Sequence, residues 1–464
     1  MRRSRTREDN RRMGWLDHRR RIAVTGLAGA GKTVFLLSLL QNIEHFNPNR
    51  FRLAGGGSLG AFRELAPATA GFELFPRTRL RARLIATQDI AWPEKTRNIY
   101  CCRCAFDYSG LGLGGQLWNI LSRRPWLGRR RVEWEFLDFP GERFSDALMA
   151  RHASFPAWSD AVMELWEISE PSRRGMDGFL SLMAASLSAS GEELLLAYKR
   201  CLAAIVHGKN QLITPSTFML GPEAGEPLAP ADLLDGGTGR LSGLPGGEFV
   251  PLSRDFRAAR PDLTEIFSRH YGRYREELIL PVFNAVNACD VLLVLVDIPG
   301  ILSGGVGRYN DASHLLEILA DVVVPSGWFS SGVKRLALIA AKADMIHARD
   351  QDSLAALADD MLRLIRNRRP EIGQTASFPV ASWVSARSVD LDDGGRALQG
   401  IPARSGGRET RIFRVPELRP EWPGDWEPED PAYSYPRLSP PRLANQFIAP
   451  EQWNLEKVFN FILA

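Results

Sequence analysis

Gly26-Leu27-Ala28-Gly29-Ala30-Gly31-Lys32-Thr33 is the stretch on which the fold turns. It satisfies G-x-x-x-x-G-K-[ST], the phosphate-cradling P-loop pattern. Residues 21–25 ahead of it (Arg-Ile-Ala-Val-Thr) read as a short buried strand. Residues 34–43 behind it are apolar at helical spacing, so the motif sits in the strand–turn–helix context it requires. Its glycines let backbone N–H groups converge on phosphate oxygens, and the following helix turns its positive end toward the same anion. Lys32 is expected to bridge the β- and γ-phosphates, and Thr33 to offer its hydroxyl oxygen to Mg²⁺. The binding segment is taken to run from Gly26 through Val34.

Outward from this point, strand-like and helix-like runs alternate. Residues 99–107 and 132–138 read as strands, followed by strands at 291–297, 335–341 and 378–384. Helical patterns fall at 313–323, 354–365 and 453–463. Such alternation implies an α/β fold with a doubly wound, mostly parallel sheet. It breaks between 149 and 280, where apolar residues recur at helical spacing, as in Trp158, Val162, Leu165 and Trp166. The expected organisation is a basic lead (1–20), a P-loop domain in two parts (21–148 and 281–407), a mainly helical insertion (149–280), and a Pro-rich segment with a closing helix (408–464). Residues 50–75, rich in Gly and Ala, read as loop.

Four further elements carry chemistry. Asp138-Phe139-Pro140-Gly141 closes the strand at 132–137 and so follows the strand pair after the P-loop. There an aspartate can hold Mg²⁺ through water, and the Gly141 N–H can meet the γ-phosphate. Asp297-Ile298-Pro299-Gly300 repeats the pattern one strand later and reads as structural. Glu142 stands where a water-orienting residue belongs. Ala341-Lys342-Ala343-Asp344 follows a buried strand at the position where guanine-binding domains carry Asn/Thr-Lys-x-Asp. Asp344 would accept from guanine N1–H and N2–H while the Lys342 stem packs on the ring. Ala341 departs from Asn or Thr and removes a side chain that braces this loop. Ser385-Ala386-Arg387 reads as the loop whose backbone meets guanine O6. Thr96, in Trp92-Pro93-Glu94-Lys95-Thr96, is the candidate switch threonine that reaches Mg²⁺ only when the γ-phosphate is present; Thr87 is its competitor.

Together these residues resemble the YcjX-like P-loop NTPases, a bacterial family of the broad GTPase class. The resemblance runs from about Arg19 to the last helix. It rests on Thr25-Gly-Leu, Trp92-Pro-x-x-Thr96, Asp138-x-Pro-Gly-Glu142, Leu295-Val-Asp297, the 340–344 run, and Ala381-Ser382 before the Ser-Ala turn. It implies a GTPase-like α/β domain with a large helical insertion and cytoplasmic, stress-linked roles. Thr tends to stand in the family where this chain has Ala341.

Composition narrows the remaining classes. A 45% apolar and 24% charged chain can bury an ordinary core. A net charge of +4 over 464 residues does not imply nucleic acid. The basic excess is local, crowded between Arg2 and Arg21, and offers at most a contact with an anionic surface. No run reaches the length of a membrane span, and the lead has no apolar core of a secretory signal. Five unevenly spaced cysteines fit reduced thiols in the cytoplasm. Cys101, Cys102 and Cys104 lie in a strand-like run without a fourth ligand and read as buried small residues. Gly56-Gly57-Ser58-Leu59-Gly60 matches a nucleophile elbow, but no helix or partner histidine supports it. The expectation is a slow Mg²⁺-dependent GTPase binding GTP and GDP and acting on an unknown protein partner. An ATPase, a P-loop kinase and a nucleotide-binding scaffold are the alternatives.

Overall fold

A computed structural model describes residues 18–27, 29–67, 72–85, 92, 99–109, 129–139, 146–168, 170–207, 247–323, 332–403, 409–424, 433–445 and 447–464. The chain opens with β1 (His18–Gly26), α1 (Lys32–Glu44), β2 (Ser58–Leu65), β3 (Glu73–Leu74), α2 (Arg77–Ile85), β4 (Tyr100–Ser109) and β5 (Arg129–Asp138). A helical stretch follows: α3 (Ala147–Arg151), α4 (Phe155–Ile168), α5 (Glu170–Ala185), α6 (Gly191–His207), α7 (Arg254–Ala259), α8 (Pro261–Tyr274) and α9 (Leu280–Asn287). The chain then returns to alternation with β6 (Val291–Val296), α10 (Ile298–Val322), β7 (Arg335–Ala341), α11 (Gln351–Arg368) and β8 (Gln374–Val380). It closes with β9 (Ala386–Asp390), β10 (Arg396–Gly400), β11 (Arg411–Val415) and α12 (Leu455–Leu463).

Among the described residues the central sheet has eight strands, with order β2-β4-β5-β1-β6-β7-β8 and β3 beside β4. From β5 to β8 every neighbouring pair is parallel. β6 (Val-Leu-Leu-Val-Leu-Val) is buried at all six positions, as a central parallel strand covered on both faces must be. At the other edge β2–β4 and β4–β5 pair antiparallel, and the two-residue β3 pairs parallel with β4. The sheet is therefore mostly parallel with an antiparallel flank.

Helices cover this sheet because their apolar faces have nowhere else to go. α12 lays Phe459 against Trp134 and Phe106, at ring separations of 4.9 and 5.8 Å, and against Phe51 at 5.5 Å. The helices between β5 and β6 build a continuous aromatic core. Phe155, Trp158, Phe249 and Tyr271 lie within 6.5 Å of one another, centre to centre. A second group joins Trp166, Phe179 and Tyr198. These stripes are packing surfaces, as their helical spacing implies.

Four expectations need correction. Residues 58–65 are strand rather than loop. β2 is an edge strand, exposed along most of its length, so it carries no apolar alternation to betray it. The strand expected over 378–384 ends at Val380, and residues 381–385 leave the sheet as a loop. The helix expected over 313–323 lies in the second part of α10, beyond a kink at Gly305 (φ 75°). The first part, which opens at Ile298 with Asp297 as its cap and Pro299 in its first turn, was not expected. The Pro-rich tail contributes β11, which pairs with β10 in a small antiparallel sheet β11-β10-β9. These strands have five residues each, too short for a periodic signal.

The three clustered cysteines are buried in β4. Burial, aided by the Glu135 charge, pushes the Cys101 thiol up to about 12, and burial does the same to Cys102. Both stay protonated and act as small apolar residues. No helix of the described residues is long and apolar enough to cross a membrane. The Arg-rich lead up to residue 17 lies outside the described residues.

Candidate functional site

The loops singled out in the sequence leave the same edge of the sheet. Parallel register sets Val24 beside Asp138, Gly26 beside Leu295, Val296 beside Ala340, and Ala341 beside Val380. Hence the turn after β1, Asp138 and its successors, Asp297, the Lys342–Asp344 segment and the 381–386 loop all emerge at the carboxyl ends of parallel strands. That is where open α/β sheets bind their ligands. The opposite edge is tied off by ion pairs, Arg21 with Glu135 at 2.9 Å and Lys334 with Asp290 at 2.7 Å.

The turn after β1 is shaped by its main chain. Gly26 has φ +139°, and a Cβ there would meet the Leu295 carbonyl oxygen at 2.0 Å. Only glycine fits so close to the neighbouring strand. The Leu27 N–H then donates to that same oxygen at 3.1 Å, and the Ala30 N–H to the Leu27 carbonyl at 3.2 Å. Gly31, at φ +84°, caps α1 without a side chain, and the first turn carries no acid. The helix therefore presents its positive end uncompensated by any carboxylate of its own. Lys32 is buried and arches back over the turn, donating to the carbonyls of Gly26 and Leu27 at 3.2 Å each. Thr33 follows at the start of α1. Ala28 lies outside the described residues, whereas Gly29, Ala30 and Val34 are in place around it.

Asp138 ends β5 and is fully buried beside β1. Phe139, next along, anchors the strand end through its N–H on the Val24 carbonyl at 3.0 Å. Gly141, Glu142, Thr87 and Thr96 lie outside the described residues. Trp92, which opens the segment bearing Thr96, donates its indole N–H to the Leu438 carbonyl at 2.7 Å.

At β7 the next loop begins. Lys342 has left-handed backbone at φ 58°, an unusual conformation for a side-chain-bearing residue. Its ammonium meets the Asp297 carboxylate at 2.5 Å. The other Asp297 oxygen accepts the Gly300 N–H at 3.0 Å. Asp344 sits two residues on in a short 3-10 turn and is buried. One of its oxygens accepts three bonds: Ser385 N–H at 2.7 Å, Ser385 hydroxyl at 2.8 Å and Ala386 N–H at 3.2 Å. Burial pushes the Asp344 carboxyl up, and these donors pull it part of the way back. The structure thus joins two sequence-distant elements, Lys-Ala-Asp and Ser-Ala, into one cluster.

The small sheet stands behind this cluster. Met345 packs with Ala386, Leu398, Val415 and Leu438 in a core of its own. Asp350 reinforces it, accepting from Leu418 N–H at 3.2 Å and pairing with Arg396 at 2.9 Å. The Ser38 hydroxyl of α1 reaches the Ser382 carbonyl, so the helix after the turn touches the loop carrying Ser385. Sequence reading missed Asp297 as a neighbour of Lys342. The repeated Asp-x-x-Gly was the available signal, but strand adjacency alone connects the two residues. Among the described residues no group of three or more His, Cys, Asp or Glu side chains could hold a metal by itself.

The YcjX-like family model, DUF463, matches residues 20–464. The Ras-like GTPase YcjX of Shewanella oneidensis is 25% identical, the match spanning 75% of this chain and 73% of that protein.

Proposed function

Since the chain belongs to the YcjX-like family, we propose that it is a Mg²⁺-dependent P-loop GTPase that couples its nucleotide state to the helices between β5 and β6. The reading takes Gly26 to Val34 as the phosphate cradle. Lys32 exchanges the Gly26 and Leu27 carbonyls for phosphate oxygens, an exchange of neutral acceptors for charged ones that strengthens both bonds. The acid-free first turn of α1 favours the same anion.

Thr33 and Asp138 are hard oxygen donors of the kind Mg²⁺ takes. One or two such groups suffice, since phosphates and water complete its shell. Bound there, the ion neutralises charge on the phosphoryl oxygens. Thr96, Gly141 and Glu142 enter from the sequence: Thr96 on the metal, Gly141 on the γ-phosphate, Glu142 orienting the attacking water.

The observation that carries guanine is the Asp344 cluster. Three donors hold one carboxylate oxygen of a buried acid, which orients the group rather than leaving it to rotate. A fixed carboxylate matches the paired N1–H and N2–H donors of guanine, and adenine offers it an acceptor instead. Ser385 and Ala386 lie beside it, and the Lys342 stem covers the ring. The helical unit begins at Ala147, directly after the segment bearing Glu142. Motion of that segment would pull on α3, whose Met149 carbonyl accepts from Arg275 at 2.9 Å.

Calorimetric titration of the purified chain with GTP, GDP and ATP tests the proposal. Guanine nucleotides are expected to bind at least about 10³-fold more tightly than ATP. Equal affinity for ATP would put an ATPase in its place. Tight GTP binding without phosphate release would leave a scaffold.

A further inference from the structure

We propose that Asp297 is a positioning residue for base recognition, holding Lys342 where its stem covers the nucleotide ring. The inference rests on the base-binding reading of Lys342 and Asp344 given above. Asp297 follows β6, and β6 lies next to β7 in parallel register, Val296 beside Ala340. Its side chain therefore stands across from the start of the Lys342 loop.

Capping α10 requires one carboxylate oxygen, and the Oδ1 atom supplies it to the Gly300 N–H at 3.0 Å. The second oxygen does something a cap does not need: Oδ2 meets the Lys342 ammonium at 2.5 Å. Lys342 also carries left-handed backbone, a conformation kept only where its surroundings impose it. The Asp297 side chain is 16% exposed and that of Lys342 42%, so the carboxylate is held in place at the strand end while the lysine reaches out to it from the more open loop.

The position where a bracing Asn or Thr would stand is Ala341, buried and without a polar atom in its side chain. The brace has moved to the neighbouring strand. Asp344 is fixed from one side by Ser385 and Ala386, and Lys342 from the other by Asp297. Each of the two base-facing residues thus has its own support, drawn from a different strand end.

The test separates this role from capping. Asp297→Asn keeps the oxygen that accepts from Gly300 and removes the charge, and Asn caps helices as well as Asp. The variant is expected to melt like the parent protein but to bind GDP and GTP about tenfold more weakly. Weak ATP binding should not change. In a Lys342→Met background, which keeps the stem and loses the charge, Asp297→Asn should have no further effect on GDP affinity. Unchanged GDP affinity in Asp297→Asn overturns the inference while the GTPase reading stands. So does an equal loss in both backgrounds, which would mean that Asp297 acts through the helix alone. A parent protein that binds no guanine nucleotide overturns both.

Discussion

The turn between β1 and α1 and the loop between β7 and α11 sit on the same edge of one sheet, yet they are built in opposite ways. The first is a single unbroken run of eight residues whose shape depends on main-chain contacts. Gly26 presses against the next strand, and Lys32 donates to the Gly26 and Leu27 carbonyls of the turn itself. The second is assembled from three strand ends by side chains: Asp297 after β6, Lys342 and Asp344 after β7, Ser385 after β8. A phosphate is nearly spherical and can be met by any ring of N–H groups. A base has an edge with direction, and reading it takes groups fixed from several sides.

If this contrast is right, backbone changes should damage the turn, and charge or hydroxyl changes should tune the loop. The largest effect is expected from Gly26→Ala. Its methyl would overlap the Leu295 main chain, at 2.0 Å from the oxygen and 2.6 Å from the nitrogen, and no flexible side chain is there to yield. A loss of about 4 kcal/mol or more of folding stability should follow, read from the denaturant midpoint. An unshifted midpoint would mean that the turn is looser than the contact implies.

Next comes Lys32→Ala. Removing a charge-assisted contact to phosphate should cost about 2–4 kcal/mol of triphosphate binding or of transition-state stabilisation. Titration with a non-hydrolysable GTP analogue and a phosphate-release assay would register it. If both are unchanged, the turn does not bind phosphate.

Asp344→Asn probes the other region. Its amide opposes guanine's donors and suits the C2 oxygen of xanthine, so GTP affinity should fall by about 10³ while XTP affinity rises. Stability should move the other way. Burial raises the folded-state pKa of Asp344 above its unfolded value. Such a group contributes stability that is present below the unfolded pKa and lost as pH rises through the folded one. At neutral pH the buried charge is therefore a cost, and Asp344→Asn should melt no lower than the parent. The same shift predicts that GTP affinity weakens on acidification before ordinary carboxylates titrate, and that the Asn variant lacks this pH dependence. A marked fall in melting temperature together with unchanged GTP affinity would make Asp344 a structural acid.

Ser385→Ala should have the smallest effect. It removes one of three donors and leaves both N–H groups in place. About 1 kcal/mol, or roughly fivefold in GTP affinity, is the scale of such a bond. A loss as large as that of Asp344→Asn would show that the hydroxyl touches the nucleotide directly.

Legibility in the sequence follows the same division. The P-loop pattern was readable because its residues are contiguous and its flanks declare a strand and a helix. Buried strands such as β6 and β7 were readable because two-sided burial writes a continuous apolar run. β2 escaped because an exposed edge demands no pattern, and β9 to β11 because five-residue strands hold too few positions to show one. Lys342, Asp344 and Ser385 could be picked out one by one. That Asp344 takes three bonds from the Ser385 loop, and that Asp297 reaches Lys342, could not.

By itself, then, the sequence determined the alternation of strands and helices, the phosphate-type turn and the acids and lysines at strand ends. All of these are properties of short windows, set by periodicity, glycine sterics and local hydrogen bonding. The tertiary structure alone decided which strand lies next to which. Order β5-β1-β6-β7-β8 puts residues 45 and 41 positions apart within hydrogen-bonding distance. The physical reason is that strand order is chosen by how the covering helices bury their apolar faces over the whole sheet, a sum over distant contacts that no window of sequence contains.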